Sequence, residues 1–334
     1  MNFYIKLARN PKMFLSVTGM HLHTFQELLP QFEQAFLKLD SERKLKTVRA
    51  ASKRIRSVGG GRAFNNDLAN RILMLLLYYR LYLTQDFMTY LFKAANKSLI
   101  SRNIKQTRSV VEAVVPTPER ARQRIFSLAK AEQQRRQKRI GSIEEFREAY
   151  PELTFIIDGV EQPKRKPKDK QKRKSNYSGK KKRHTLKQIV TATPAGIIVD
   201  QSPSVGGRTH DFQAFKDDHA GRGVLKEFAS MRASLYGDSG FQGMGEMGLP
   251  VEVRLIQRAR RNHPLSRDQK KLNLLRSSTR VKIEHTFSRR KKYRIAGEEY
   301  RNRDEDYDQT MNIVAGLMNL RAYERVFQRT GIRL

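Results

Sequence analysis

The sequence of 334 residues contains no cysteine and no tryptophan. Without cysteine, disulfide bonds, iron–sulfur clusters and thiolate zinc sites are excluded. The longest strongly apolar run, residues 72–79, is too short to cross a bilayer, so we expect no membrane partner. The first residues, MNFYIKLARNPKMF, lack the apolar stretch of a signal peptide, which favours a cytoplasmic location.

Acidic residues are scarce relative to basic ones: 33 Asp and Glu face 67 Lys and Arg, for a formal net charge of +34. This imbalance argues against an ordinary metabolic enzyme and predicts a polyanionic partner, with nucleic acid as the leading candidate. A membrane surface is the alternative, but no basic amphipathic helix with an anchor stands out. Hydrophobic residues, at 38%, suffice for a folded core, and the length predicts about two domains.

The N-terminal segment, residues 1–64, combines a helix with a basic linker. Apolar spacing over residues 21–38 predicts an amphipathic helix, broken or started near Pro30. The glycines at 59–61 predict a flexible linker, and its charge makes Arg62 a candidate DNA contact. No Gly-Lys-Ser/Thr follows these glycines, so the segment is not a phosphate-binding P-loop.

Residues 65–150 have the pattern of a helical DNA-binding region. A buried helix over 66–83 precedes Thr84, which is a good N-cap for a second helix over 85–92. A third helix runs from Lys97 to Val115, where Pro116 stops it. Two short helices, a tight turn and a polar second helix describe a helix-turn-helix. The alternative is a plain helical core with a solvated basic face. The side chains expected to face DNA are Ser98, Ser101, Arg102 and Lys105.

From residue 151 to 334 the pattern becomes strand-like. The continuous apolar run that ends in Asp158 predicts a central strand covered on both faces. Residues 164–183 hold twelve basic side chains against one acid and, as the basic hairpin segment 164–193, lead into two strands, 185–193 and 197–200, joined by a turn at 194–196. The DNA contacts expected there are Lys180, Lys181, Lys182 and Arg183. The predicted fold class is α+β and multidomain, with an all-helical N-terminal region before an α/β domain that contains a mixed sheet.

Three acids stand apart in this basic chain: Asp158, Asp238 and Glu284. Each has an ordinary structural interpretation, since an aspartate at a strand end often caps a turn and Glu284 can pair with Arg280 one helical turn away. Together they fit phosphodiester chemistry, in which two hard cations stabilise the attacking and leaving oxygens. Carboxylates on rigid elements are suitable ligands for such ions.

Five segments resemble those of one protein family, the DDE superfamily of bacterial insertion-sequence transposases. The similarity is greatest to the insertion-sequence-five group and its Harbinger-like relatives, and it extends over roughly residues 65–322. The segments are YYRLYLTQ (78–85), FIIDGVE (155–161), GGRTHD (206–211), LYGDSGFQG (235–243) and RVKIEHTF (280–287). Each motif is weak alone, but their ordered set is specific.

The resemblance implies a ribonuclease-H-like catalytic domain at residues 151–334. In such a domain Asp158 lies on the first strand, Asp238 follows the fourth, and Glu284 lies on a late helix. These three would be the catalytic residues and the ligands of Mg²⁺ or Mn²⁺, with two ions expected. Asp211 matches a motif acid outside the triad, with a role either in structuring its loop or close to DNA.

Further DNA contacts are expected around this site, at Arg208, His210, Arg290 and Lys291. Lys291 lies seven residues after Glu284, near the same helical face. It can contact a phosphate or simply extend a solvated cationic face, and the density of the basic cluster favours the phosphate.

The sequence therefore predicts a DNA transposase that binds the terminal inverted repeats of its element, cleaves DNA and joins the 3′-ends to target DNA. Its partner would be double-stranded DNA in the nucleoid, bound by a homodimer or a larger assembly. The main alternative is a non-catalytic DNA-binding protein, either a repressor or a captured transposase. A third possibility, an RNA-binding protein, lacks the aromatic-glycine pattern of an RRM.

Overall fold

The computed structural model describes residues 2–50, 67–136, 154–222, 224–230, 233–249, 251–259 and 264–331. The chain forms two compact units, Met1–Val115 with Tyr293–Ile295, and Pro116–Lys292 with Ala296–Leu334. The first division follows Val115, well before the boundary at residue 151 that the sequence predicts. The reason is that Ala121 and Ile125, on the helix after Pro116, are buried in the same core as the first long strand.

The first unit is helical. Its helices are α1 (Phe3–Ala8), α2 (Pro11–Thr18), α3 (Leu22–Ala50), α4 (Leu68–Leu81), α5 (Gln85–Phe92) and α6 (Lys97–Val114). The bounds of α4, α5 and α6 confirm the three helices predicted for this region. Residues 72–79 are buried all along α4, as their apolar sequence predicts. The predicted linker with Arg62 lies outside the described residues.

Capping side chains define where the helices of this region begin. Thr84 Oγ1 accepts from the Phe87 amide at 3.3 Å at the start of α5. Asn96 Oδ1 accepts from the Leu99 amide at 3.0 Å at the start of α6. Both are the bonds expected of N-cap residues.

The interruption predicted near Pro30 is wrong, because α3 continues through this proline. Phe25 and Phe32 are fully buried on either side of it. Tertiary packing of the two rings therefore outweighs the local cost of a proline inside a helix.

The second unit is mixed α and β. In chain order it contains α7 (Pro118–Arg136), β1 (Thr154–Pro163), α8 (Lys170–Asn176), β2 (Tyr177–Ser178), β3 (Arg183–Ala192), β4 (Ile198–Gln201), β5 (Val205–Gly206), α9 (Asp211–Arg222), α10 (Val224–Ser230), β6 (Ser234–Gly237), a 3₁₀ helix (Ser239–Glu246), β7 (Glu252–Leu255) and α11 (Arg267–Lys291). The short helix α12 (Arg294–Gly297) follows, with its first two residues in the first unit. The second unit then continues with a second 3₁₀ helix (Asp304–Asp306) and α13 (Tyr307–Thr330).

Among the described residues, seven strands form one mixed sheet, whose main path is β2-β3-β1-β6-β7. The strands β1, β6 and β7 are parallel, whereas β3 is antiparallel to β1, β2, β4 and β5. The long strand β1 is therefore central, as its continuous apolar sequence predicts. The hairpin β3–β4 confirms the predicted hairpin after the basic segment.

Helices and the sheet enclose the core of this unit. Phe155 and Phe228 stack with ring centroids 4.4 Å apart, which ties β1 to α10. Phe215 of α9 and Ala322 of α13 belong to the same buried cluster. Within the described ranges, every helix is too short or too polar to span a membrane.

Candidate active site

Asp158 and Asp238 follow neighbouring positions on two parallel strands. Ile157 of β1 pairs in register with Gly237 of β6, so the next residue on each strand is one of these aspartates. The Gly159 amide donates to Asp158 Oδ1 at 2.7 Å, and the Ser239 amide donates to Asp238 Oδ1 at 2.7 Å. Asp158 lies within β1, which continues to Pro163 rather than ending at this residue, and Asp238 directly follows β6. Because both acids follow the same register pair on parallel strands, the sheet itself brings them together.

The environment of Asp158 disfavours its charge. The pKa of Asp158 is raised to about 6, chiefly by burial and also by the nearby charges of Asp238 and Asp211. The Gly159 amide and the Arg280 guanidinium act in the opposite direction. Thus four charged groups, from β1, the end of β6, α9 and α11, share one electrostatic site.

Glu284 lies on α11, which packs against β1 and β6. Its Oε1 lies 2.8 Å from Nη2 of Arg280, one helical turn earlier. The local ion pair of Glu284 with Arg280, which the helical spacing predicts, is therefore present. The Glu284 side chain is 52% exposed, whereas that of Arg280 is 22% exposed. Arg280 thus lies on the more buried side of the pair.

A second ion cluster supports the strand that carries Asp158. The ammonium of Lys187 lies 2.7 Å from Asp211 Oδ1 and 3.4 Å from Glu161 Oε1, and it donates to the Thr209 carbonyl at 2.6 Å. Glu161 and Lys187 are register partners on β1 and β3. The Asp211 carboxylate also lies against Gly159, where an added Cβ would be 2.8 Å from Cγ.

Sequence reasoning missed Lys187 and Gly159 as parts of this region. A lysine within the apolar strand β3 was the available signal, because a buried lysine needs an acidic partner. Gly159 belongs to the FIIDGVE motif. The reason that this position has no side chain is its contact with Asp211, which is 52 positions away in the sequence.

The donor set is appropriate for a hard divalent cation, because Asp158 and Asp238 present carboxylates side by side in a partly desolvated site. The third acid does not join them in this arrangement, since Glu284 is bound by Arg280. Throughout the described ranges, the chain has no group of three or more His, Asp or Glu side chains placed to hold a metal ion. Two of the three predicted ligands thus lie together, and the third is separately paired.

The predicted DNA contacts on α6 share one exposed face. Ile100, Ile104 and Val111 are buried on the other face, which agrees with the predicted apolar side of this helix. The exposed side chains are Ser98, Ser101, Arg102 and Lys105.

The basic segment around the second strand is exposed in part. Lys180, Lys181, Lys182 and Arg183 are exposed between β2 and the start of β3. Residues 170–176 form α8, which begins at Asp169, whose Oδ1 accepts from the Lys172 amide at 2.7 Å. Lys164, by contrast, is buried and paired with Asp304. Not every cation of this segment is therefore free for DNA.

Of the contacts expected around the acids, Arg208, His210 and Lys291 are exposed. The expectation for Arg290 is wrong, because this side chain is only 2% exposed. Its guanidinium donates to Gln188 Oε1 at 2.8 Å and to Gln201 Oε1 at 3.4 Å. Arg290 is directed into the protein and ties α11 to β3 and β4.

Known proteins are similar to this part of the chain. Residues 157–319 match the model of a family described as DDE superfamily endonuclease, a range that contains all three acids. A probable transposase for insertion sequence element IS702 from Microchaete diplosiphon is 30% identical over 169 residues, which are 50% of this chain and 57% of that protein. The chain thus spans little more than half the length of this curated relative. No solved structure matches the chain. Residues 157–319 are thus similar to DDE superfamily endonucleases, and part of the chain is similar to a probable insertion-sequence transposase.

Proposed function

We propose that this protein is a DNA transposase that binds the terminal inverted repeats of its element, cleaves DNA by phosphodiester hydrolysis and joins the 3′-ends to target DNA. The observation that carries the proposal is the pair of aspartates, Asp158 and Asp238, which follow a register pair on two parallel strands. The net charge of +34 provides the attraction to DNA that such an enzyme needs.

Asp158, Asp238 and Glu284 are the proposed ligands of Mg²⁺ or Mn²⁺, with two ions expected. Bound there, the ions would activate the attacking oxygen and stabilise the leaving oxygen of the scissile phosphate. The contribution of the chain is to hold Asp158 and Asp238 in register on a ribonuclease-H-like sheet. Glu284 completes the set once it leaves Arg280.

The proposed DNA-reading element is the pair α5 and α6, as a helix-turn-helix. The exposed polar face of α6 begins within its first turn, where a recognition helix contacts base edges. Arg102 is suited to a guanine, and Lys105 to a phosphate. The exposed cations at 180–183 and Lys291 would follow the phosphate backbone.

Transposition joins two element ends, so we propose that a homodimer or larger assembly acts on the DNA. A protein with this activity works on the nucleoid. The competing function is DNA binding without catalysis, as in a repressor or a captured transposase. The ion pair between Arg280 and Glu284 favours this alternative, because it leaves the three acids ungrouped in the described part of the chain.

Nicking of supercoiled plasmid in Mg²⁺ or Mn²⁺ separates the two functions. The parent protein should nick, whereas Asp158→Asn, Asp238→Asn and Glu284→Gln should bind element ends without cutting them. Asp217→Asn is the matched control, since it changes the net charge equally at an exposed position on α9. If the parent and the control bind DNA but do not nick it in either metal, the catalytic proposal fails and the binding-only function replaces it.

A further inference from the structure

Arg280 interacts with two of the proposed metal ligands. Its Nη2 contacts Glu284 at 2.8 Å, and its charge lowers the pKa of Asp158. The first acid is on the same helix, and the second is on the central strand against which that helix packs. A single guanidinium thus acts on carboxylates from two different elements.

The contacts of Arg280 allow it to release Glu284. Among the described residues its Nε is buried without a hydrogen-bond partner. The ion pair with Glu284 joins residues four apart on a helix, and Glu284 is half exposed. Pairs of this kind are weak, because water screens them and both side chains lose rotamer freedom. The structure therefore contains a positive group that holds Glu284 without a strong bond.

We propose that Arg280 is an intramolecular counter-ion of the acid site, and that it keeps Glu284 apart from Asp158 and Asp238 in the DNA-free protein. Arg280 is then a positioning residue that must release Glu284 before the three carboxylates can group. This inference rests on the proposed function, because it assigns Glu284 as a ligand. It explains why two of the three acids are adjacent while the third is not.

The physical reason is competition between cations for the same carboxylate. A guanidinium that neutralises Glu284 and acts on Asp158 weakens the attraction of this site for a divalent ion. Removal of the guanidinium charge should therefore strengthen metal binding, although it removes an interaction from the folded protein. A residue with a merely structural role would not produce this gain.

The test is the affinity of the full-length, DNA-free protein for Mn²⁺, measured by isothermal titration calorimetry and by electron paramagnetic resonance of free Mn²⁺. Arg280→Gln should bind Mn²⁺ about threefold to tenfold more tightly than the parent, as expected when one nearby positive charge is removed. Arg280→Lys keeps the charge and should remain close to the parent. Lys282→Gln removes an exposed charge from the same helix and should also leave the affinity unchanged.

A double-mutant cycle assigns the gain to Glu284. In the Glu284→Gln background, Arg280→Gln should give a smaller increase in Mn²⁺ affinity than in the parent, because only the effect of the charge on Asp158 remains. Circular dichroism and thermal unfolding establish that each variant is folded. If folded Arg280→Gln binds Mn²⁺ no more tightly than the parent, or if Lys282→Gln shows the same gain, the inference is overturned.

The outcomes for this inference and for the proposed function are separate. A parent that nicks DNA while Arg280→Gln shows no gain in affinity contradicts the counter-ion role alone. A gain in Arg280→Gln with no nicking by the parent supports the counter-ion role and contradicts catalysis.

Discussion

The carboxylate of Asp211 lies directly against the backbone of Gly159, so that a Cβ on this glycine would be 2.8 Å from Asp211 Cγ. Gly159 follows Asp158 on the central strand, and Asp211 is held by the buried ammonium of Lys187. The missing side chain at Gly159 is therefore what allows α9 to bring its first residue to the strand of the candidate active site.

Gly159→Ala should lower the free energy of unfolding by about 1–3 kcal/mol, the usual cost of an extra methyl group in a packed site. The methyl group would displace Asp211 and strain its ion pair with Lys187. Urea unfolding measures the effect. Gly240→Ala is the matched control, because a Cβ there meets no atom within 4 Å, and it should change stability by less than about 0.5 kcal/mol. Equal stability of Gly159→Ala and the parent would show that Asp211 can move away at no cost.

The raised pKa of Asp158 predicts a stability that depends on pH in the metal-free protein. The pKa of Asp158 is about 6 in the folded chain, against the ordinary 3.8. Between these two pH values the folded state therefore holds a proton that the unfolded state has lost. This contribution to stability is complete below about pH 4 and disappears as the pH rises through about 6. At neutral pH the charged, buried Asp158 therefore destabilises the fold.

Asp158→Asn should consequently be more stable than the parent at pH 7.5, on the order of 2–3 kcal/mol, and this difference should shrink towards zero near pH 4. The side-chain oxygen of asparagine can still accept a hydrogen bond from the Gly159 amide, so this local interaction is kept. Urea unfolding in EDTA across this pH range provides the measurement, with Asp217→Asn as the control for net charge. A stability difference that does not vary with pH would contradict the raised pKa.

Two adjacent residues on α11 should behave in opposite ways. Arg290→Ala should destabilise the fold by on the order of 2–4 kcal/mol, because it leaves a cavity and removes the donor to Gln188 and Gln201. Lys291→Ala should leave stability within about 0.5 kcal/mol, since this side chain is exposed.

For DNA binding we expect the larger effect from Lys291→Ala and the smaller one from Arg290→Ala. If Lys291 neutralises one phosphate, Lys291→Ala should reduce the slope of log K against log salt by about 0.9. Thermal unfolding measures the stability of each variant, and DNA titrations at several salt concentrations measure the slope. A stable Arg290→Ala protein with weakened DNA binding would mean that Arg290 turns outward on DNA.

The exposed cations at residues 180–183 should contribute to the salt dependence of DNA binding. Replacement of Lys180, Lys181, Lys182 and Arg183 by Ser should flatten the slope by about 0.9 for each phosphate that is no longer neutralised on duplex DNA. A variant with Arg at 180–182 and Lys at 183 keeps the charge and should retain the parent's slope. If the Ser variant also keeps that slope, these side chains remain in water when DNA binds.

Local chemistry made much of the fold predictable. Thr84 and Pro116 mark helix ends through their own backbone and side-chain preferences, which act within a few residues. The continuous apolar run before Asp158 indicated a strand covered on both faces, and β1 is indeed central. The ordered motifs predict that three acids belong to one site; register brings Asp158 and Asp238 side by side, whereas Glu284 is paired with Arg280.

Tertiary structure alone decided which partner each charged side chain meets. Arg290 and Lys291 are neighbours in a basic helix, yet one is buried on Gln188 of β3 and the other is exposed, because α11 presents only one face to the sheet. Glu284 is bound by Arg280, and Asp211 reaches Gly159 only because β1, β3 and α9 meet. Periodicity and capping act over a few residues, whereas ion pairs and close contacts depend on segments far apart in sequence. The sequence by itself thus determined many of the helices and strands, and the packing of these elements determined which charged side chains pair with one another.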